Sequence, residues 1–325
     1  MTLIVKRIIA ALAIVAAALS AIDAAAAQPY PNRPIRLIAP FPPGGPVDVM
    51  ARLVAQRLST TLGQVIVENR PGAGSTIGAK SVAQADPDGY TLLLASSASL
   101  AIGPALFNNI GYDPLTSFVP IAMVSSVPYV MVAATKSPFK NVPEMLAYAK
   151  ANPGKLNFGV PNGAPPHVLA LSFKALTGAD IVIVPYKGAA TVITDLIGGQ
   201  IDAGFETTSV MFSHLHEGKV RGLAVVRETR QPELPDVPTM IESGVPKLVG
   251  SSWTGIMAPA GTPPEIVNRL RAEIIEGLKS PDMVDKFKKL GAEARFLSLD
   301  EFMAFVGAEN QRLGDIIRSS GTKAE

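Results

Sequence analysis

The segment PFPPGGPVDVMAR, Pro40–Arg52, follows a short apolar strand, Ile35–Ala39, and opens a helix. Gly44 and Gly45 lack a Cβ, so backbone and guest can approach closely. Pro42 and Pro43 stiffen the loop. The helix behind it presents unpaired N–H groups and a positive dipole end, an anion site that needs no cationic side chain. Ala51, Val54, Leu58 and Leu62 recur at helical spacing, so one face packs down and the open N-terminus points away from the core. Asp48 falls in the first turn, where an acid favours the dipole; plain capping is the alternative. From this segment alone, an ordinary strand–turn–helix connection reads the same way.

Val65–Glu68 reads as the next strand, and NRPGAGSTIGAKSVAQA, Asn69–Ala85, as a Gly-rich turn into a short helix. Its glycines, Gly72, Gly74 and Gly78, are spaced one residue too widely for a dinucleotide fingerprint. No acid stands where the ribose would need one. Asp86–Tyr90 is a turn feeding the strand Thr91–Ala95, with a polar loop, Ser96–Ser99, at its carboxyl end. Strand–helix alternation predicts a parallel sheet with helices on both faces, and ligands beyond the carboxyl ends of its strands.

Ahead of all this, Lys6 and Arg7 precede an apolar run, Ile8–Leu19, and an Ala-rich stretch, Ala24–Ala27. This is the pattern of a secretory signal peptide cut after Ala27, too short in its apolar core for a membrane span. Removing it leaves about 298 residues of 325, a length that suits two domains. The formal charge drops from +2 to +1, with 27 basic residues against 26 acidic. Such a balance argues against a nucleic-acid partner. With no cysteine, disulfides, zinc–thiolate sites and thiol catalysis are excluded.

The second half repeats the first. The run Ile121–Ala134, broken by Pro128, is long enough to leave one lobe and enter another. Asn141-Val-Pro-Glu144 caps a helix. The strand Leu156–Gly159 leads into a second Pro/Gly loop and helix, Val160–Gly178, with Pro165 and Pro166 at its start. Strands follow at Ile181–Tyr186, Ile201–Glu206 and Val220–Val226, with a helix at Gly188–Gly198 and a loop at Glu206–Ser209. The last quarter is helical, with capping boxes at Thr262–Glu265 and Ser298–Glu301 and a helix start at Ser280-Pro281. These helices are expected to cover the first lobe.

Few residues stand out for chemistry. His214 and His216, two apart on a helix, point to different sides and cannot share a metal. His167 lies in a first helical turn, either as a partly buried histidine or as a donor to an anion. Glu206 ends an apolar strand and needs partners there, on a ligand or on Thr207 and Thr208. Lys187 and Arg70 are loop cations that could steer an anion or simply be solvated. Trp253 is read as packing near a lobe junction. No nucleophile elbow, P-loop or zinc-protease motif is present.

Taken together, PFPPGGPVDVMAR, NRPGAGSTIGA, ADPDGYTLL, NGAPPHVLALSFKALTG, VPYKGAATVITDLIGGQID, LPDVPT and WTGIMAPAGTP resemble the Bug-type periplasmic solute receptors of tripartite tricarboxylate transporters. The resemblance implies a type II periplasmic-binding-protein fold, two α/β lobes joined by crossing hinge strands. Its lobes are expected at 28–127 with 250–325, and at 128–249, after a signal peptide over 1–27. It implies a periplasmic, monomeric, non-enzymatic receptor with no cofactor and no metal. The ligand would be a small organic acid, a di- or tricarboxylate, acidic amino acid or aromatic carboxylate, passed to membrane transporter subunits. A sensory module without transport and a secreted hydrolase or lyase using His167 with Glu206 are the alternatives. The family site maps onto Phe41, Pro42, Gly44, Gly45, Val47 and Asp48 for the first loop, and onto Ser96 and Ser97 for the floor. It continues at Asn162, Gly163, Ala164 and His167 for the second clamp, with Glu206 and Thr207 at the distal end. Against the family pattern, Val47 replaces a hydroxyl residue, Leu171 an acid, and Glu206 an Asp. A flatter or more apolar acid is therefore expected. The grip is expected from two facing sets of backbone N–H groups, one per lobe.

Overall fold

The computed structural model describes residues 30–162 and 164–320. The signal-peptide expectation at 1–27 and Gly163 fall outside them. Of the leading compact unit, Met1–Arg33, only residues 30–33 are described, with a cis Tyr30–Pro31 peptide. The second unit, Pro34–Glu325, holds every strand and helix named below.

Two sheets share one long strand. In the first, β1 (Ile35–Ala39) lies between β2 (Val65–Asn69) and β3 (Thr91–Ser96), all parallel. In the second, β5 (Leu156–Pro161) lies between β6 (Ile181–Tyr186) and β7 (Ala203–Thr207), again parallel. Between them runs β4, Phe118–Ala134. Its first part pairs antiparallel with β9 (Ser251–Pro259), and its last part with β7 and β8 (Val220–Val225). β9 also pairs antiparallel with β3. The expected all-parallel first sheet is thus corrected to a mixed one. A returning strand such as β9 joins by long-range pairing, which no local pattern announces.

Along β4 the side chains alternate, as a pleated strand requires. Tyr129, Met131 and Ala133 face a core with Phe158, Phe173 and Phe205. Val130, Val132 and Ala134 face another with Val192, Leu196 and Met211. Both faces are covered, which is why the run reads as unbroken hydrophobicity.

The helices at the strand ends are α1 (Pro46–Leu58), α2 (Thr76–Ala83), a short α3 (Gly103–Leu106), α4 (Val142–Ala151), α5 (Pro165–Thr177), α6 (Ala189–Gly198) and α7 (Thr208–His216). The C-terminal helices are α8 (Pro264–Lys279), α9 (Pro281–Lys289) and α10 (Leu299–Ser320), with the two-residue strand β10 (Glu293–Ala294) pairing with β4. Phe302 and Val306 of α10 enter the first sheet's core beside Ile38, Leu93 and Trp253. Trp253 meets Phe302 and Phe305 edge-on at 6.0 and 5.5 Å. Further along, Asn310 donates to the Leu100 carbonyl at 2.7 Å, fixing the helix over the first sheet's loops.

Two capping boxes form as reciprocal bonds. Ser298 N–H donates to Glu301 at 2.8 Å and Glu301 N–H to Ser298 Oγ at 3.2 Å. At α4, Lys140 N–H donates to Glu144, and Glu144 N–H to Asn141 Oδ1 at 2.8 Å. Asn141→Ala should cost about 1 kcal/mol in urea unfolding, and Asn141→Asp much less. The box expected at Thr262 does not form. Pro263 is the N-cap of α8, and Thr262 Oγ1 turns back to donate to the Pro259 carbonyl. An unexpected box closes instead between Thr239 and Glu242.

Candidate functional site

In each sheet the strand order places the first strand in the middle, β2-β1-β3 and β6-β5-β7. The chain leaves β1 to one side and reaches β3 on the other, and it treats β5 and β7 likewise. Such reversal points open a crevice beyond the carboxyl ends of the strands. The four predicted segments fall at those ends. Phe41–Asp48 follows β1, and Ser96 with Ser97 ends β3. Asn162, Ala164 and His167 follow β5, and Glu206 with Thr207 ends β7.

The first loop is held from below by Asp48, only 2 % exposed. Its Oδ2 accepts from Gly44 N–H at 2.9 Å and from Arg52 Nε at 2.9 Å. Its Oδ1 accepts from Asn69 Nδ2 at 2.7 Å, and the same amide reaches the Phe41 carbonyl at 3.1 Å. The Arg52 hydrogen bond, with smaller help from Gly44 and Asn69, holds the Asp48 carboxyl down at about 2 against its burial. Gly44 adopts φ +83°, a left-handed backbone that suits glycine. Asp48 and the Gly44 amide are therefore committed within the loop. Val47 and Asp48 N–H, at the second and third positions of α1, lack intrahelical partners by helix geometry.

The second loop is built differently, because its described amides at Asn162, Ala164 and His167 are already hydrogen-bonded. Asn162 N–H donates to the Tyr186 carbonyl, Ala164 N–H to Pro161 and His167 N–H to Ala164. Pro165 and Pro166 have no N–H to give. Among the described residues, the exposed Asn162 amide and the half-buried His167 ring are the polar side chains of this loop. Burial pushes the His167 pKa down, so the ring is a neutral donor or acceptor near pH 7.

The two strand-end loops past β3 and β7 are in fact helix starts. Ser97 leads directly into a π-helical turn, Ala98–Ile102, that continues as α3. Ser96 N–H donates to Ser99 Oγ, while Ser96 Oγ is buried without a hydrogen-bond partner. After β7, Thr207 is the N-cap of α7. Glu206 Oε1 accepts from Thr207 N–H at 2.8 Å and from its hydroxyl at 3.3 Å. Burial raises the Glu206 pKa despite those bonds. Thr208, which sequence reading treated only as a partner for Glu206, is 1 % exposed, and its hydroxyl is buried and unpaired. A hydroxyl residue just past a strand end, two residues after an acid, was the available signal.

The two sets of loops meet at an apolar seam. Val168, in the first turn of α5, packs with Ala101, Ile102 and Leu106 just past Ser97, and with Leu313 and Ile317 of α10. His214 and His216 lie on α7, where His216 stacks edge-on against Phe212 at 4.4 Å.

Residues 50–322 match the tripartite tricarboxylate transporter family receptor, TctC. BugT of Bordetella pertussis is 40% identical over 320 residues, 98% of each chain. A structure of the periplasmic binding protein BugD is 36% identical, covering 91% of this chain and all of that one, with a TM-score of 0.77. An R. palustris protein solved with adipate is 34% identical, covering 90% of this chain and 99% of that one, with a TM-score of 0.79. Members of this family are periplasmic binding receptors with the type II fold, two α/β lobes joined by crossing strands. A match over most of the chain, with the same fold, makes this protein a member of the tripartite tricarboxylate transporter receptor family.

Proposed function

We propose that the protein captures a small dicarboxylate between its two lobes in the periplasm and hands it to a tripartite transporter. The lobes are residues 28–127 with 250–325, and 128–249. The observation that carries this reading is the repeated strand order, which puts all four predicted segments at the reversal points of two sheets. One carboxylate of the guest meets the first turn of α1, with Val47 and Asp48 N–H, in the loop held open by Asp48. The Val47 side chain offers only methyl groups beside it, which suits an acid with an apolar middle. Asn162 and His167 close over the guest from the second lobe. Glu206, Thr207 and Thr208 receive its far end, together with the Ser96 hydroxyl from the floor. Burial raises the Glu206 pKa, which lessens the repulsion a second carboxylate would meet there. The guest favours the closed arrangement and so shifts the lobe equilibrium toward it.

Adipate at a hundredfold excess over its Kd should stabilise the chain by about 2.7 kcal/mol. A thermal-shift series of adipate, malate, citrate and benzoate measures this. Unchanged melting with every acid sinks the proposal. Turnover of a bound acid would move the reading to an enzyme.

A further inference from the structure

A cavity of about 210 Å³ is lined by none of the residues assigned above to the carboxylate. One wall is the segment after β8, through Gln231 and Glu233. The other is α9 and β10, through Phe287, Lys288 and Glu293. Its volume corresponds to about seven waters, the size of a small amino acid.

The polar groups around it are unevenly committed. Glu293 is locked to Arg227, with contacts of 2.7 and 3.4 Å. Glu233 and Lys288 make no ion pair or side-chain hydrogen bond among the described residues, although both line the same cavity. They are opposite charges held too far apart to satisfy each other. Gln231 is 4 % exposed, and its Oε1 has no hydrogen-bond partner. An amide oxygen left unpaired on burial is costly. Phe287 and Ala292, both buried, supply an apolar floor.

We propose that this cavity is a second binding site, for a small zwitterionic amino acid with an apolar side chain. Its carboxylate pairs with Lys288 at the exposed rim, and its ammonium with Glu233 and the Gln231 amide. The side chain rests on Phe287. An anion alone would satisfy only Lys288, and an amine alone only Glu233 and Gln231. A zwitterion bridges the gap that the two side chains leave. The walls belong to different sheets, since β10 pairs with β4 at Ser125 and Ser126 while Gln231 and Glu233 follow β8.

The test is an amide NMR titration of the mature chain with L-valine, in the presence of saturating adipate. Saturable shifts should appear at Gln231, Glu233 and Lys288 and leave 41–48 and 162–167 unmoved. Glu233→Gln and Lys288→Met should each weaken valine by about tenfold, the value of one charge-assisted bond. The exchange of both charges, E233K with K288E, should restore much of the loss. Isobutylamine and isovalerate, each carrying one charge, should bind about tenfold more weakly than valine. No shift, shifts confined to the carboxylate loops, or equal binding of isobutylamine overturns the second site. If adipate still binds in that sample, the carboxylate reading stands; if valine binds and adipate does not, only the carboxylate reading falls.

Discussion

Replacing Asp48 by Asn should cost about 2–3 kcal/mol in urea unfolding at pH 7, the range for a buried, charge-assisted hydrogen-bonding group that loses its partners. The side chain serves the Gly44 amide, the Asn69 amide and Arg52 at once. An Asn presents one acceptor where the aspartate presents two, and its NH₂ then faces another donor. Adipate affinity should fall with stability, because the same bonds shape the first loop. The pH dependence gives an independent readout. The folded carboxyl titrates near 2, below its ordinary 3.8, chiefly because of Arg52. Its contribution is therefore complete above pH 4 and is lost as pH falls through 2. Wild type should lose more stability than the variant over that interval. Identical acid profiles would show that Asp48 does not hold the loop.

Gly78→Ala should be nearly as damaging, at about 2–3 kcal/mol, because a Cβ there overpacks backbone that cannot yield. It would lie 2.7 Å from Pro40 Cβ, 3.0 Å from Pro40 Cα and 2.8 Å from the Arg70 carbonyl. Pro40 begins the first loop, so moving it shifts the amides of α1. Adipate binding should weaken by about tenfold or more, the loss of one charge-assisted bond. Gly307→Ala is the control, since a Cβ at Gly307 meets nothing within 4 Å. It should be neutral or slightly stabilising. A Gly78→Ala protein that melts and binds like wild type would separate α2 from the site.

Gly78 also illustrates what could be read from sequence and what could not. Its spacing with Gly72 and Gly74 departs from that of a dinucleotide turn. The reason for the glycine, contact with Pro40 from another element, is a tertiary fact. Elements with a local cause were legible. The Pro/Gly loops open α1 and α5, Asn141 and Ser298 cap their helices, and Ile121–Ala134 lies within a strand that spans both sheets. What failed depended on a distant strand pairing in one case and on local hydrogen-bond competition in the other. β9 joins antiparallel because β3 and β4 both have an open side for it. Thr262 spends its hydroxyl on Pro259 and leaves the cap to Pro263.

The candidate site divides in the same way. The four segments were legible because each follows a short apolar run that reads as a strand. How each donor is used was not, because it depends on local hydrogen-bond competition. Two consecutive prolines at 165–166 remove two N–H groups, and the tight turn consumes those of Ala164 and His167. On the proposed reading the second lobe works through the side chains of Asn162 and His167, whereas the first works through backbone amides.

β4 has a consequence for anyone who would divide this chain into two genetic pieces. Its 17 residues give one uninterrupted ribbon to both sheets. A cut at Pro128 would hand each fragment half a ribbon, and both would carry a raw sheet margin open to self-association. A split reporter built on this scaffold has to place its break elsewhere, for instance in the exposed turn around Gly154, where a Cβ meets no neighbour.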